Sequence, residues 1–297
     1  MKVFYSPRYG ITLPGHVWPT AKYRLIAERL SGVEILEPPE ASWDDLALVH
    51  TAEYLEKLRS GTLSGDDIAT LELPWRPEFV PAFRLMAGGT VAAARAALDA
   101  GNAAHLGGGL HHAFANHGEG FCPVNDIAVA IRVAQARSTR SARSGQRIRR
   151  AAVIDVDVHH GNGTAMIFER DPDVFTFSIH QQHNYPFFKP RSDLDIGLED
   201  GAGDDRYLTA LAAALPKVME HAPELVVYVA GADPFHGDRL GGLRLTKAGL
   251  AERDRMVVAA VTAGGVPIVL TLAGGYAVDV QDTVDIQTTT VETLLKA

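Results

Sequence analysis

The stretch from Ala151 to Thr164, AAVIDVDVHHGNGT, constrains the fold more than any other, because a β-branched apolar run turns within a few residues into a series of acids and imidazoles. Ala152 to Val158 has the length and composition of a strand buried on both faces, and Gly161-Asn162-Gly163 predicts a turn into a helix. Asp155, Asp157 and His159 alternate with valines, so on a strand their side chains leave the same face. At roughly 3.3 Å of rise per residue, positions two apart lie about 6.6 Å apart at Cα, close enough for two side chains to share one ion. Asp157 and His159 are therefore the candidate metal ligands. Asp155 lies too far down to join them and reads as a buried carboxylate that orients an imidazole. The competing reading is a strand whose acids cap the next helix, but two carboxylates entering an apolar strand are costly without a cation or donors.

Around this centre, apolar strand-like and helical segments alternate along the chain. Strands are expected at Val3–Tyr5, Ala103–Leu106, Val174–Ile179, Leu225–Ala230 and Val266–Leu272. Helices are expected from Thr20 to Gly32, from the capping box at Ser42, over Thr51–Leu58 and Pro81–Ala100, from about Asn125, and over Thr164–Arg170, Tyr207–His221, Thr246–Ala263 and Gln281–Lys296. Ser6–Pro19 reads as an ordered loop. The segment from Gly61 to Pro81, with Leu71, Leu73 and Trp75, reads as a loop near a site entrance or a plain surface loop, and Asp193–Asp205 as exposed acidic loop. The basic run Arg137–Arg150 reads as a solvated loop. Such alternation predicts a three-layer α/β/α fold with a central, mostly parallel sheet in one domain spanning residues 1–297. Polar clusters follow four strands, GGLHH, DVHH, GAD and AGGY, at the sheet edge where α/β sites form.

Charge and cysteine content narrow the functional classes. With 28 basic and 36 acidic residues the net charge is -8, which disfavours broad binding to nucleic acid or anionic membrane. A single cysteine, Cys122, excludes an intrachain disulfide and a cysteine-rich metal site. Neither a membrane-length apolar run nor a signal-peptide pattern is expected, so the location expected is cytoplasmic. The oligomeric state is not legible.

A catalytic zinc takes three protein ligands and leaves one position for water. Asp233 is the best third ligand, since its carboxylate follows the apolar run ELVVYVA. His111 and His112 stand adjacent in a glycine-bracketed turn; aimed inward, one takes a proton from water activated by the ion while the other tunes charge and later protonates the leaving group. Asp155 and Asn162 are suited to bond the far nitrogens of these rings and set their tautomers. Gly274 and Gly275 let the backbone swing Tyr276 towards the ion, where its phenol can donate to the oxyanion of a tetrahedral intermediate.

These motifs match a family. GGLHHAFANHGEGFC, VIDVDVHHGNG, FSIH, GADPFHGDRLGGL and LAGGY resemble the zinc-dependent histone deacetylase superfamily, in order over nearly the whole chain. The opening VFYSPRYGITLPG and the later VHTAEYLEKL look most like its class IV branch. The resemblance implies an arginase-like α/β fold, zinc on Asp157, His159 and Asp233, His111 and His112 as the acid/base pair, and Tyr276 as oxyanion donor. It also implies a Gly120 carbonyl near the scissile amide and Phe121 as a wall of an acyl-lysine tunnel. Asp155, Asp157, His159, Ser178 and Ile179 match positions around a potassium or sodium ion, and Phe168, Asp171 and Val174 match a second such site. Asn162 departs from the aspartate of class I members and raises the basicity of its histidine less.

The activity implied is removal of acetyl or longer acyl groups from the ε-amine of lysine in proteins or peptides. The alternative is a deacetylase of small amines such as acetylpolyamines. A metal-stabilised binding module without turnover would not need the His pair or Tyr276, and no G-x-S-x-G points to serine chemistry.

Overall fold

The computed structural model describes residues 1–136 and 148–297, so most of the basic run, residues 137–147, lies outside the described residues. In chain order the elements are β1 (Lys2–Phe4), α1 (Ala21–Arg29), β2 (Ile35–Leu36), α2 (Trp43–Leu46), α3 (Ala52–Ser60), α4 (Gly65–Leu71), α5 (Val80–Ala100), β3 (Asn102–His105) and α6 (Asp126–Ala136). They continue with β4 (Ala151–Asp155), α7 (Asn162–Phe168), β5 (Val174–Gln181), β6 (Leu194–Leu198), α8 (Asp204–Glu220), β7 (Leu225–Val229), α9 (Lys247–Ala263), β8 (Ile268–Thr271) and α10 (Val280–Leu295).

All of these strands join one sheet in the order β2-β1-β3-β8-β7-β4-β5-β6, and every pairing is parallel. Parallel neighbours need long crossovers, and the crossover helices cover both faces of the sheet. On one side α5 packs on α6 and against β1, β3 and β8. A second series, α8 on α9, α9 on α10 and α10 on α1, completes the α/β/α sandwich. The central strands β4, β7 and β8 are therefore buried at every position. Among the described residues no helix is long and apolar enough to cross a membrane.

The structure departs from the sequence reading in four places. The first strand of the 151–164 stretch ends at Asp155, so Asp157 and His159 lie on the turn beyond β4 rather than on one face of a longer strand. Within 61–81, α4 forms because Ser64 and Asp67 make a capping box, and this helix buries Leu71. In the acidic segment, Leu194–Leu198 pairs with β5 as a parallel edge strand, in which Asp195 and Gly197 are more exposed than the apolar residues they alternate with. The two-residue β2 is too short to leave a periodic signal.

Candidate active site

The four strands whose carboxyl ends carry the polar clusters, β3, β8, β7 and β4, are neighbours at the middle of the sheet. Their loops therefore meet over one point. Carboxylate oxygens of Asp126, at the start of α6, accept the backbone N–H groups of Gly109 at 3.0 Å and Leu110 at 2.7 Å, which fixes the turn leading into His111. Gly109 has φ +75°, and a Cβ there would fall 2.6 Å from Ala273. Only glycine lets the loop after β3 close on the loop after β8.

His111 and His112 both turn inward from this loop and are 3% and 5% exposed. Their Nε2 atoms lie 3.1 Å apart. Asp155 Oδ2 sits 2.7 Å from His111 Nδ1, and Asn162 Oδ1 sits 2.7 Å from His112 Nδ1. The two rings consequently differ in charge. Burial opposes protonation of His111, but Asp155 and Asp157 outweigh it and raise the imidazole to about 9. For His112, burial and then the charge of His111 push the value well below the ordinary one, leaving a neutral ring beside a cationic one.

Asp157, His159 and Asp233 bring three buried ligand atoms within 4.8 Å of one another. His159 Nδ1 faces both acids, 3.1 Å from Asp157 Oδ1 and 3.5 Å from Asp233 Oδ2. The other acid oxygens are engaged, since Gly274 N donates to Asp157 Oδ2 at 2.9 Å and Val158 N to Asp233 Oδ1 at 3.0 Å. Asp233 Oδ2 is buried without a hydrogen-bond partner among the described residues. Burial, then the Asp157 charge, pushes the Asp233 carboxyl up to about 7. Two carboxylates, one of them with an orphan oxygen, and an imidazole in a buried pocket fit one divalent cation, which would satisfy that oxygen and relieve the repulsion.

A cavity of about 170 Å³ opens from this cluster, walled by Trp18, Phe121, Tyr185, Leu240 and Tyr276, with Glu72 at its rim. Gly120 and Phe121 also line it, both left-handed at φ +50° and +68°. The Phe121 ring stacks on Trp18 and meets Tyr276 edge-on at 6.1 Å. Gly274 lies against both acids, while Gly275, at φ +136°, lets the chain turn so that Tyr276 faces the cavity. Burial raises the Tyr276 phenol well above its ordinary value, aided by Asp157 and Asp233, so it stays a neutral donor.

Of the residues expected around monovalent cations, Asp157 and His159 line this cavity, while Asp155, Ser178, Ile179, Phe168, Asp171 and Val174 do not. Asp155 and Ser178 are register partners on β4 and β5, followed by Ile179, with the Ser178 hydroxyl 3.0 Å from His180 Nδ1. Phe168, Asp171 and Val174 form the corner between α7 and β5, where the Phe168 and Asp171 carbonyls accept backbone N–H groups and the Asp171 carboxylate pairs with Arg132. A second metal-like trio, His160, His180 and Asp195, also lies within 4.8 Å. In it Asp195 accepts from His160 Nε2 at 3.1 Å, which ties the turn after β4 to the edge strand.

Four residues around the site escaped the sequence reading. Lys22 on α1 reads as a surface lysine but is wholly buried, donating to the strained Ala273 carbonyl at 2.9 Å. Asp238 accepts the Tyr276 N–H at 2.6 Å. Tyr185 packs edge-on against His112 and His159, and Glu119 lies behind it. For Asp238, Tyr185 and Glu119 the only signal was placement within aromatic or glycine-rich loops, and Lys22, on α1, gave none.

Comparison with known proteins agrees with this geometry. The histone deacetylase domain model matches residues 16–291. Histone deacetylase 2 of Arabidopsis thaliana is 32% identical over 296 residues, covering 93% of this chain and 74% of its own. A histone deacetylase-like amidohydrolase of Pseudomonas aeruginosa is 33% identical over 301 residues, covering 90% of this chain and 77% of its own. The crystal structure of the HDA15 HD domain superposes with a TM-score of 0.79 at 25% identity, over all of this chain and 91% of that one. The all-parallel sheet, the buried His and Asp cluster and these relatives lead to one conclusion: the chain belongs to the histone deacetylase family and is a hydrolase of the deacetylase type.

Proposed function

We propose that the protein removes acetyl or longer acyl groups from the ε-amine of lysine in proteins or peptides. The observation that carries this reading is the convergence of Asp157, His159 and Asp233, the His111–His112 pair and Tyr276 at the base of one aromatic-walled cavity. Zinc is the ion assigned to the three ligands; when bound it supplies Lewis acidity to a carbonyl oxygen and a lowered pKa to water. The remaining chemistry belongs to the chain.

Phe121, Tyr185 and Leu240 enclose the aliphatic stem and keep bulk water away from the amide. His112, neutral and with Nδ1 against Asn162, presents Nε2 as the base that accepts a proton from the attacking water. His111, cationic beside Asp155, holds the compensating positive charge and donates the proton that the departing amine needs. Tyr276 donates its phenolic hydrogen bond to the oxygen that becomes negative as the carbonyl is attacked. Potassium or sodium is assigned to Asp155, Asp157, His159, Ser178 and Ile179. The register of β4 and β5 supports that assignment. A second ion is assigned to Phe168, Asp171 and Val174.

One observation favours the alternative of a small acylated amine. Glu72, at the rim, ends α4 in the left-handed conformation at φ 55°, and a carboxylate there suits the distal ammonium of an acetylated polyamine. A panel of acyl-lysine peptides of increasing chain length, run beside acetylputrescine, tests both. Higher kcat/KM on the peptides supports the lysine reading; preference for acetylputrescine, lost in Glu72→Gln, replaces it. No turnover of any acyl amine by zinc-loaded protein overturns both.

A further inference from the structure

Asn162 leaves His112 without the charged partner that Asp155 gives His111. An asparagine has a further weakness as a partner for an imidazole, because its amide presents an acceptor at one end and a donor at the other. With its oxygen towards Nδ1, His112 carries its proton on Nδ1 and leaves the Nε2 lone pair free, facing the cavity and His111 Nε2 at 3.1 Å. Turned over, the amide donates to Nδ1, and the proton moves to Nε2, where the ring can no longer act as a base.

Glu119 removes that ambiguity. Asn162 Nδ2 donates to Glu119 Oε1 at 2.7 Å, and the Tyr185 hydroxyl donates to the same oxygen at 3.2 Å. Glu119 Oε2 lies 3.5 Å from His117 Nε2, and the side chain is 19% exposed. An ionised carboxylate only accepts, so the end of Asn162 that meets it must be the amide nitrogen. The oxygen is then committed to His112, 2.7 Å away. Tyr185 packs edge-on against His112 with ring centroids 5.0 Å apart, so the same carboxylate also holds the cavity wall that confines the ring.

We propose that Glu119 is a positioning residue that locks His112 in its Nδ1–H tautomer through Asn162 and seats Tyr185 against it. The proposal rests on the reading of His112 as the base. It is local to this chain's pairing of Asn162 with Glu119: an aspartate at 162 accepts only, and would need no lock.

The test combines nitrogen NMR of the zinc-loaded protein, labelled with ¹⁵N-histidine, with kinetics on an acetyl-lysine peptide. In the natural chain His112 is expected to show one protonated-type Nδ1 and one unprotonated-type Nε2. In Glu119→Leu a second His112 signal with protonated Nε2 is expected, with kcat lowered at least tenfold and KM within about threefold. In the Asn162→Asp background, where two acceptor carboxylates would otherwise face each other, adding Glu119→Leu is expected not to lower kcat, because the aspartate fixes the tautomer by itself. An unchanged tautomer in Glu119→Leu overturns the proposal, as does an equal loss of kcat in both backgrounds. Should the leucine variant not fold, Glu119→Gln carries the same test, since glutamine can face Asn162 with either end; absence of a second His112 signal there overturns the lock. Failure of the functional reading looks different: no turnover by the natural chain, whatever the tautomer.

Discussion

Replacing Gly274 by alanine probes the proposed metal centre while leaving each of its proposed ligands unsubstituted. A Cβ on Gly274 would fall 1.9 Å from Asp233 Oδ2 and 2.6 Å from Asp157 Oδ2, where real Cβ atoms keep at least 3.0 Å. Asp233 therefore has to retreat by about 1.1 Å, or the backbone of the 273–276 turn has to move by as much and break the 2.9 Å bond from Gly274 N to Asp157. Neither acid has room to yield, since both are essentially without exposure and each is tied by a backbone donor. Disturbing the groups that orient metal ligands costs about 10–100-fold in metal affinity or activity, and a displacement of about 1 Å costs about 100-fold in rate. The Gly274→Ala variant is expected to bind zinc about 10–100-fold more weakly and to lose about 100-fold in kcat/KM, with the thermal transition of the metal-free protein within a few degrees of the natural chain. Competition with a chromogenic chelator measures the affinity, and circular dichroism checks the fold. Zinc affinity and kcat/KM both within threefold of the natural chain would show that Asp157 and Asp233 are not the ligands.

Tyr276→Phe removes the hydroxyl proposed to donate to the developing oxyanion and is expected to lower kcat by about 10²–10³ while zinc content, measured by metal analysis, stays at the natural level. Dialysis against a chelator is expected to abolish hydrolysis and zinc to restore it; full turnover by metal-free protein would end the metal assignment. Burial lowers the Lys22 ammonium to about 8 from the ordinary 10.5, although Asp233, Asp157 and Asp238 oppose the fall. The folded chain thus holds this proton more weakly than the unfolded one, so Lys22 makes stability rise as pH goes from about 8 to about 10.5, by on the order of 3 kcal/mol. Urea unfolding at pH 7.5 and 9.5 is expected to show that rise flattened in Lys22→Met; parallel pH dependences in the two proteins would refute it.

Much of this molecule is legible in the order of its residues because parallel strands buried on both faces leave continuous apolar runs, as at Val153-Ile154 and Leu225–Val229. The polar residues that follow them stand out for the same reason. What stays hidden is set by contacts distant in sequence. Lys22 carries no local mark of burial, because the carbonyl it serves is 251 residues away. Glu119 and Asn162 are 43 residues apart, and neither residue alone shows that one orients the other. The strand at Leu194–Leu198 was obscured by its acids, although the period-two placement of Leu194, Ile196 and Leu198 was present. In the 61–81 segment the helix start is legible in Ser64 and Asp67, three residues apart as a capping box requires.

The order of the strands bears on how the protein is made. Until β7 and β8 exist, the chain has only two separate three-stranded ribbons, β2-β1-β3 and β4-β5-β6, each with an unpaired inner edge at β3 or β4. During N-to-C synthesis His111 and His112 hang from one ribbon and Asp157 and His159 from the other, so no early fragment can assemble a reactive centre. The last strands close the gap, and a ribosome stalled before residue 268 would leave a nascent polypeptide with sticky edges and no catalyst.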